Sequence, residues 1–333
     1  MLRVAIVGAT GAVGEELFKV LEERRFPVKS LRAFASARSK GRFSRFQGRD
    51  LEVEELDVRA LVDQDVVFLS AGAEVSRRLR PVLCESLASV YDNTSAFRMD
   101  PDVPLVVPEV NADCARSSRW VAVPNCTAIL LVLALHPLHR AFGLRRVIVS
   151  TYQAVSGAGR RALQSLLDGT RAELSGEPPS PASGAHPFAF NVIPLIGGMA
   201  DAGIGLSRST GEEAKVVLET RRILGHPSLS MVVTCVRVPV LRAHSESVTV
   251  ELDALPTVDE IRETLRRAPG VEVRDEPDHQ LFPTPRGASG RDGILVGRIR
   301  EGDARGCFSF FLSGDQLRKG AALNAVQIAE LRL

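Results

Sequence analysis

Apolar residues in the first part of the chain fall in short continuous runs: positions 4–7, 31–35, 66–70 and 88–92. Between the first two, residues 15–24 place Leu17, Val20 and Leu21 on one face at helical spacing. Short apolar strands separated by helices predict a parallel sheet covered on both faces. The pattern changes after Cys126. Residues 147–152 predict a strand, and 231–238 and 245–252 are longer alternating runs. Such runs predict a largely antiparallel sheet with one exposed or interface face. A helix is expected over 258–267. The Ala- and Leu-rich tail, 320–333, predicts a helix returning to the first domain. The Pro- and Ser-rich stretch 177–186 predicts a surface loop. The whole reads as α/β.

Composition narrows the picture. A chain of 333 residues suits two domains. The net charge of +2 is small, and no basic block with interleaved aromatics occurs, so nucleic acid is not an expected partner. The longest apolar run, 128–135, is too short for a membrane helix, and the N-terminus has no export signal. A cytoplasmic location is expected, with no membrane association. The five cysteines are odd in number and show no Cys-x-x-Cys spacing, which predicts neither a disulfide framework nor a metal site. Four of the five are expected to be small buried hydrophobes.

Two sequence features point to chemistry. The first is the turn Gly8-Ala9-Thr10-Gly11-Ala12-Val13-Gly14, which follows the first strand and opens the first helix. Glycines there let the backbone turn tightly and approach a phosphate, while the helix N-terminus offers N–H groups. The turn predicts a dinucleotide site in which Gly8, Thr10, Gly11, Ala12, Val13 and Gly14 contact the cofactor. After the second strand, where an NAD site places an acid, the chain reads Ser36-Ala37-Arg38-Ser39-Lys40-Gly41-Arg42. Ser36, Arg38 and Ser39 suit the extra phosphate of NADP.

The second feature is Cys126, in Pro124-Asn125-Cys126-Thr127, just ahead of an apolar helix. A helix N-terminus stabilises a thiolate, and a thiolate nucleophile needs a base. Among six histidines, spacing gives His244 a slight preference. With Arg237 it is expected on adjoining edges of a hairpin, flanking a small anionic substrate.

The glycine turn, the segments 92–98, 107–111, 124–127, 152–154 and 156–159, Arg237-Val238-Pro239-Val240 with His244, and the tail 319–324 together resemble the aspartate-β-semialdehyde dehydrogenase family, in its order and across nearly the whole chain. The resemblance implies a Rossmann-type NADP-binding domain, residues 1–125 plus 313–333, and an α+β catalytic and dimerisation domain, 126–312. It implies Cys126 as nucleophile, His244 as acid/base and Gln153 as the residue orienting the acyl group. Arg237 would anchor the substrate α-carboxylate. Arg98, Asn125 and Lys215 would bind phosphate, and Glu212 or its neighbour Glu213 the amino group. Gln316 would contact the cofactor.

The implied reaction is NADP-dependent reduction of β-aspartyl phosphate to aspartate semialdehyde and phosphate, in the biosynthesis of lysine, threonine, methionine and isoleucine. The implied assembly is a homodimer or tetramer. Three alternatives stand beside it: a sister reductase for N-acetyl-glutamyl phosphate, a paralogue lacking catalysis, and a dinucleotide-sensing regulatory protein. Cys126 and His244 argue against the second. Absence of turnover would mark the third.

Overall fold

The computed structural model describes residues 1–116, 118–178, 186–200, 206 and 208–333. The chain forms two compact units, residues 1–125 with 320–333, and residues 126–319. Segment 313–319, expected with the first domain, belongs to the second unit. Most of the expected loop at 177–186 lies outside the described residues.

The first unit carries a seven-stranded sheet. Its strands are β1 (Leu2–Val7), β2 (Val28–Ala35), β3 (Phe43–Phe46), β4 (Arg49–Glu55), β5 (Val66–Leu69), β6 (Ser89–Asp92) and β7 (Trp120–Ala122), in the order β3-β4-β2-β1-β5-β6-β7. Only the β3–β4 pair is antiparallel. Val4 to Val7 and Val66 to Leu69 are buried throughout, as strands covered on both faces must be. Helix Ala12–Glu23 buries Leu17, Phe18, Val20 and Leu21. The tail helix Leu323–Glu330 joins this unit: Asn324 donates to the Val106 carbonyl at 2.9 Å, and Gln327 to Glu109 at 3.2 Å.

The second unit carries six strands: β8 (Leu144–Gln153), β9 (Ser230–Arg237), β10 (His244–Leu252), β11 (Val271–Val273), β12 (Ile294–Glu301) and β13 (Cys307–Gly314). Their order is β11-β12-β13-β10-β8-β9. Pairs β10–β13, β10–β8 and β12–β13 are antiparallel, whereas β8–β9 and β11–β12 are parallel. The expected hairpin of β9 and β10 does not form, because β8 lies between them. Helices Cys126–Phe142, Gly211–Leu224 and Val258–Arg266 pack on one side of this sheet. The first is apolar all round and buries nearly everything from Thr127 to Leu138, as an enclosed helix does. The other side of the sheet leaves Ile148, Tyr152 and Val232 exposed.

Candidate active site

In the second unit, register brings the site residues together. Residues paired across neighbouring strands point to the same side of a sheet. Gly314 of β13 pairs with His244 of β10, and Gln153 of β8 pairs with Arg237 of β9. Ser245 pairs with Tyr152, so the register continues to set His244 opposite Gln153. His244, Gln153 and Arg237 thus form one row on the helix-covered side. The next row, Leu312, Glu246, Thr151 and Cys235, is polar in part, and the one beyond, Phe310, Val248, Val149 and Val233, is apolar.

Each member of the row is held. Gln153 donates Nε2–H to Glu212 Oε1 at 3.2 Å, and its Oε1 accepts from Thr151 at 3.1 Å. Arg237 donates from Nη1 to the Ala154 carbonyl at 2.7 Å. Burial lowers the Arg237 pKa, while Cys126 and Glu212 act on it electrostatically in the opposite sense. Cys126 is the first residue of its helix, with no acid in the first turn to oppose a negative charge.

His244 is fully buried, and the Ala154 backbone N–H donates to its Nδ1 at 3.0 Å. A backbone N–H can only donate, so Nδ1 must be the acceptor and the neutral ring carries its proton on Nε2. Nε2 has no partner among the described residues. Protonating the ring would set two donors against each other. Burial, and then Arg237, hold its pKa well below the usual histidine value. The ring is therefore neutral and offers Nε2–H. Gly157 faces it: a Cβ at that position would lie 3.1 Å from Cε1 and Nε2.

The adjacent acids Glu212 and Glu213 are held differently. Thr210 and Glu213 form a capping box at the start of helix Gly211–Leu224, and the second Glu213 oxygen accepts from the Cys235 N–H at 3.1 Å. Glu213 is engaged in structure. Glu212 is the acid facing Gln153, and it pairs with Lys215 at 3.4 Å. Gln316 is only 2% exposed, and both ends of its amide are bonded inside this unit: Oε1 to the Ala243 N–H at 2.9 Å, Nε2 to Ser156 Oγ at 2.6 Å. The cysteines depart from expectation. Cys235 is buried, and burial pushes its thiol pKa strongly up, but Cys84 and Cys114 are exposed and Cys307 is partly so.

In the first unit, a cleft of about 550 Å³ is lined by Gly8, Thr10, Gly11, Ser36 and Arg38. Gly8 has φ +92, and a Cβ there would lie 2.5 Å from the Ser70 carbonyl oxygen. One on Gly14 would lie 2.3 Å from the Gly8 oxygen, so the helix packs directly on the turn. Thr10 donates to Ser39 Oγ at 3.3 Å. Ala12 and Val13 begin the helix. Arg78 also lines the cleft, unforeseen from sequence. So does an acid: Glu55 pairs in register with Ala35 and lies 3.7 Å from Lys40. Arg98 is buried, donating Nε–H to the Val123 carbonyl and Nη2–H to that of Asn93, both at 2.9 Å. It braces the segment that ends in the buried Asn125.

The sequence model of the semialdehyde dehydrogenase NAD binding domain matches residues 3–118, and that of the semialdehyde dehydrogenase dimerisation domain matches residues 135–319. An aspartate-semialdehyde dehydrogenase of Prochlorococcus marinus is 43% identical, covering 100% of this chain and 96% of its own. The chain belongs to the aspartate-semialdehyde dehydrogenase family. The Bacillus subtilis family member is 44% identical over 99% of this chain and 96% of its own. The crystal structure of Vibrio cholerae aspartate semialdehyde dehydrogenase II complexed with ASA superposes with a TM-score of 0.93, at 41% identity, over 99% of this chain and 98% of that one. The two-domain fold is thus that of aspartate-semialdehyde dehydrogenases.

Proposed function

We propose that this chain is an NADP-dependent aspartate-β-semialdehyde dehydrogenase that reduces β-aspartyl phosphate through a thioester on Cys126. The observation that carries the reading is the row His244–Gln153–Arg237, with Glu212 bonded to its centre and Cys126 acting electrostatically on its end.

The cleft of the first unit fits a dinucleotide, because Gly8 and Gly11 line it in a close-packed turn that leads straight into the N-terminus of helix Ala12–Glu23, where a phosphate is favoured. Ser36, Arg38 and Ser39 would take the 2′-phosphate of NADP. When bound, the nicotinamide supplies the hydride that reduces the thioester carbon. Arg237 binds the substrate carboxylate and Glu212 its ammonium, with Gln153 orienting the acyl group beside them. On the family resemblance, Arg98, Asn125 and Lys215 serve the phosphate.

Cys126 sulfur attacks the acyl carbon, the carbon–oxygen bond to phosphate breaks, and phosphate leaves with the bonding pair. The helix N-terminus and Arg237 favour the thiolate form needed for that attack. His244 keeps its Nε2 proton and hydrogen-bonds it to the oxyanion of the tetrahedral adduct on Cys126. Collapse of that oxyanion re-forms the carbonyl, expels the Cys126 thiolate and leaves the aldehyde. The side of the six-stranded sheet bearing Ile148, Tyr152, Val232 and Phe311 is the apolar surface for a homodimer, from which a tetramer can be built. No helix among the described residues is long and apolar enough to cross a membrane, and the reaction belongs with cytoplasmic amino-acid biosynthesis.

The test mixes the purified chain with aspartate semialdehyde, phosphate and NADP, and follows NADPH absorbance. Phosphate-dependent NADPH formation is expected. Turnover of the N-acetyl-glutamate semialdehyde alone would move the chain to the sister reductase, whose substrate has no ammonium for Glu212. Cofactor binding without turnover of either would overturn the enzyme reading.

A further inference from the structure

Arg98 sits inside a tight turn of the first unit. The Asp100 N–H donates to the Phe97 carbonyl at 3.1 Å, so Phe97 and Asp100 close the turn and Arg98 and Met99 are its central pair. One side chain grips both ends of that turn. Arg80, on helix Ala73–Glu85, donates from Nη1 to Asp100 Oδ2 at 2.7 Å. Its guanidinium carbon also lies 4.3 Å from the centroid of the Phe97 ring. Phe97 in turn packs edge to face on Trp120, with centroids 5.6 Å apart, and the same guanidinium lies 6.0 Å from the Trp120 ring. A planar guanidinium can lie against a ring and pair with a carboxylate together. The ion pair is partly shielded, its side chains being 24% and 28% exposed.

The same helix also reaches the chain ahead of the turn. Ser76, one helical turn before Arg80 and on its face, donates Oγ–H to Asp92 at the end of β6. Asp92 accepts in addition from the Thr94 N–H at 2.8 Å. The stretch from Asp92 to Asp100 is therefore tied to one helix at both ends. Between the ties, Arg98 sends its side chain to the carbonyls of Asn93 and Val123. Those bonds set where its guanidinium goes, and Arg80 sets the backbone from which it starts.

We propose that Arg80 is a positioning residue for phosphate binding. By holding Phe97 and Asp100 it fixes the turn from which Arg98 reaches the phosphate group of β-aspartyl phosphate. This rests on the reading of Arg98 as a phosphate ligand.

The experiment assays Arg80→Met, Arg80→Lys, Arg98→Ala and the double variant Arg80→Met/Arg98→Ala in the intact chain, with aspartate semialdehyde, NADP and varied phosphate. Methionine keeps an unbranched apolar stem and drops the charge. Loosening one charge-assisted hydrogen bond costs on the order of tenfold in affinity. Arg80→Met should therefore raise the KM for phosphate about tenfold, while the KM for aspartate semialdehyde and the affinity for NADP each change less than about twofold. Lysine keeps a cation between Phe97 and Asp100, so Arg80→Lys should return the phosphate KM to within about threefold of wild type. Because Arg80 acts through Arg98, Arg80→Met should add less than about twofold once Arg98 is alanine. The full rise in the Arg98→Ala background would show that Arg80 acts elsewhere and would overturn the proposal. So would a lowered Tm with an unchanged phosphate KM, the mark of a structural brace. Should Arg80→Met fail to fold, Asp100→Asn breaks one of the two holds in its place and should raise the phosphate KM about threefold, without touching the other constants; an unchanged phosphate KM there would overturn the proposal too. An Arg98→Ala enzyme with a wild-type phosphate KM would instead remove Arg98 from the phosphate site, and the proposal would fall with that reading.

Discussion

Glu246 offers a stability measurement whose sign and slope follow from its surroundings. It lies one row below His244, between Thr151 and Leu312, fully buried, and neither carboxylate oxygen has a partner among the described residues. Burial pushes its pKa well above the ordinary carboxylate range. In the unfolded chain this group loses its proton near pH 4.3, whereas in the folded protein it keeps it. Between those two pKa values the folded state binds one more proton, so stability falls as pH rises, by about 1.4 kcal/mol per unit. Glutamine has nearly the same shape and does not titrate. Relative to wild type, Glu246→Gln should therefore gain about 1.4 kcal/mol per pH unit over the interval between the unfolded and the raised folded pKa, whatever its constant offset. Cys235, on the same row, has a pKa raised first by burial and then by Glu212. Its unfolded thiol titrates near 8.5, so its own slope begins only around that pH. Urea unfolding of both proteins across the pH range gives the difference directly. Parallel stability curves would show that Glu246 carries a charge in the folded protein, and the argument from burial would fail.

Three further outcomes are expected. Arg38→Ala should weaken NADP binding about tenfold or more while NAD binding barely changes, since only NADP carries the 2′-phosphate; equal losses in titrations with the two cofactors would remove Arg38 from the phosphate site. Cys126→Ala should lose on the order of 10⁴-fold or more in turnover with NADP binding intact. Exposed Cys84 and Cys114 will also react with an alkylating reagent, so peptide mapping must show that substrate protects Cys126 selectively, and protection elsewhere would contradict its role. In Gly157→Ala the new methyl would lie 3.1 Å from the His244 ring and 3.4 Å from Arg237 Nη1; kcat should drop about 10²-fold, and a wild-type value would mean the ring has room to shift.

Local patterns were readable where local forces decide. The glycine turn, the strand ahead of it and the apolar helix behind Cys126 depend on residues a few positions apart, and each lies where the sequence pointed. Arg237 and His244 were grouped correctly but for the wrong geometric reason. Alternation says which residues of a strand share a face, not which strand lies next to it, and the insertion of β8 between β9 and β10 is a non-local choice. Strands β3 and β4 went unseen because Phe43–Phe46 and Arg49–Glu55 carry too much charge to read as buried sheet. The acid that β4 brings to the cofactor cleft was missed with them. The state of His244 was not legible either, because it turns on an N–H from Ala154, 90 residues earlier in the chain. The same holds for Gln316, whose partners at Ser156 and Ala243 are 160 and 73 residues distant.

The row that joins β10, β8 and β9 gives the chain an arithmetic of tolerated change. One residue inserted into β10 between His244 and Val248 would swing every side chain before it to the opposite side of the sheet. His244 would move to the outer surface, and Ser245 would take its place beside Gln153. Two inserted residues would restore the phase and lengthen the strand by one repeat. The two would still carry His244 about 6.8 Å along the strand, past Gln153 and out of the row, so length variation should be accepted in connections away from the site, such as residues 301–307, and not within β8, β9 or β10.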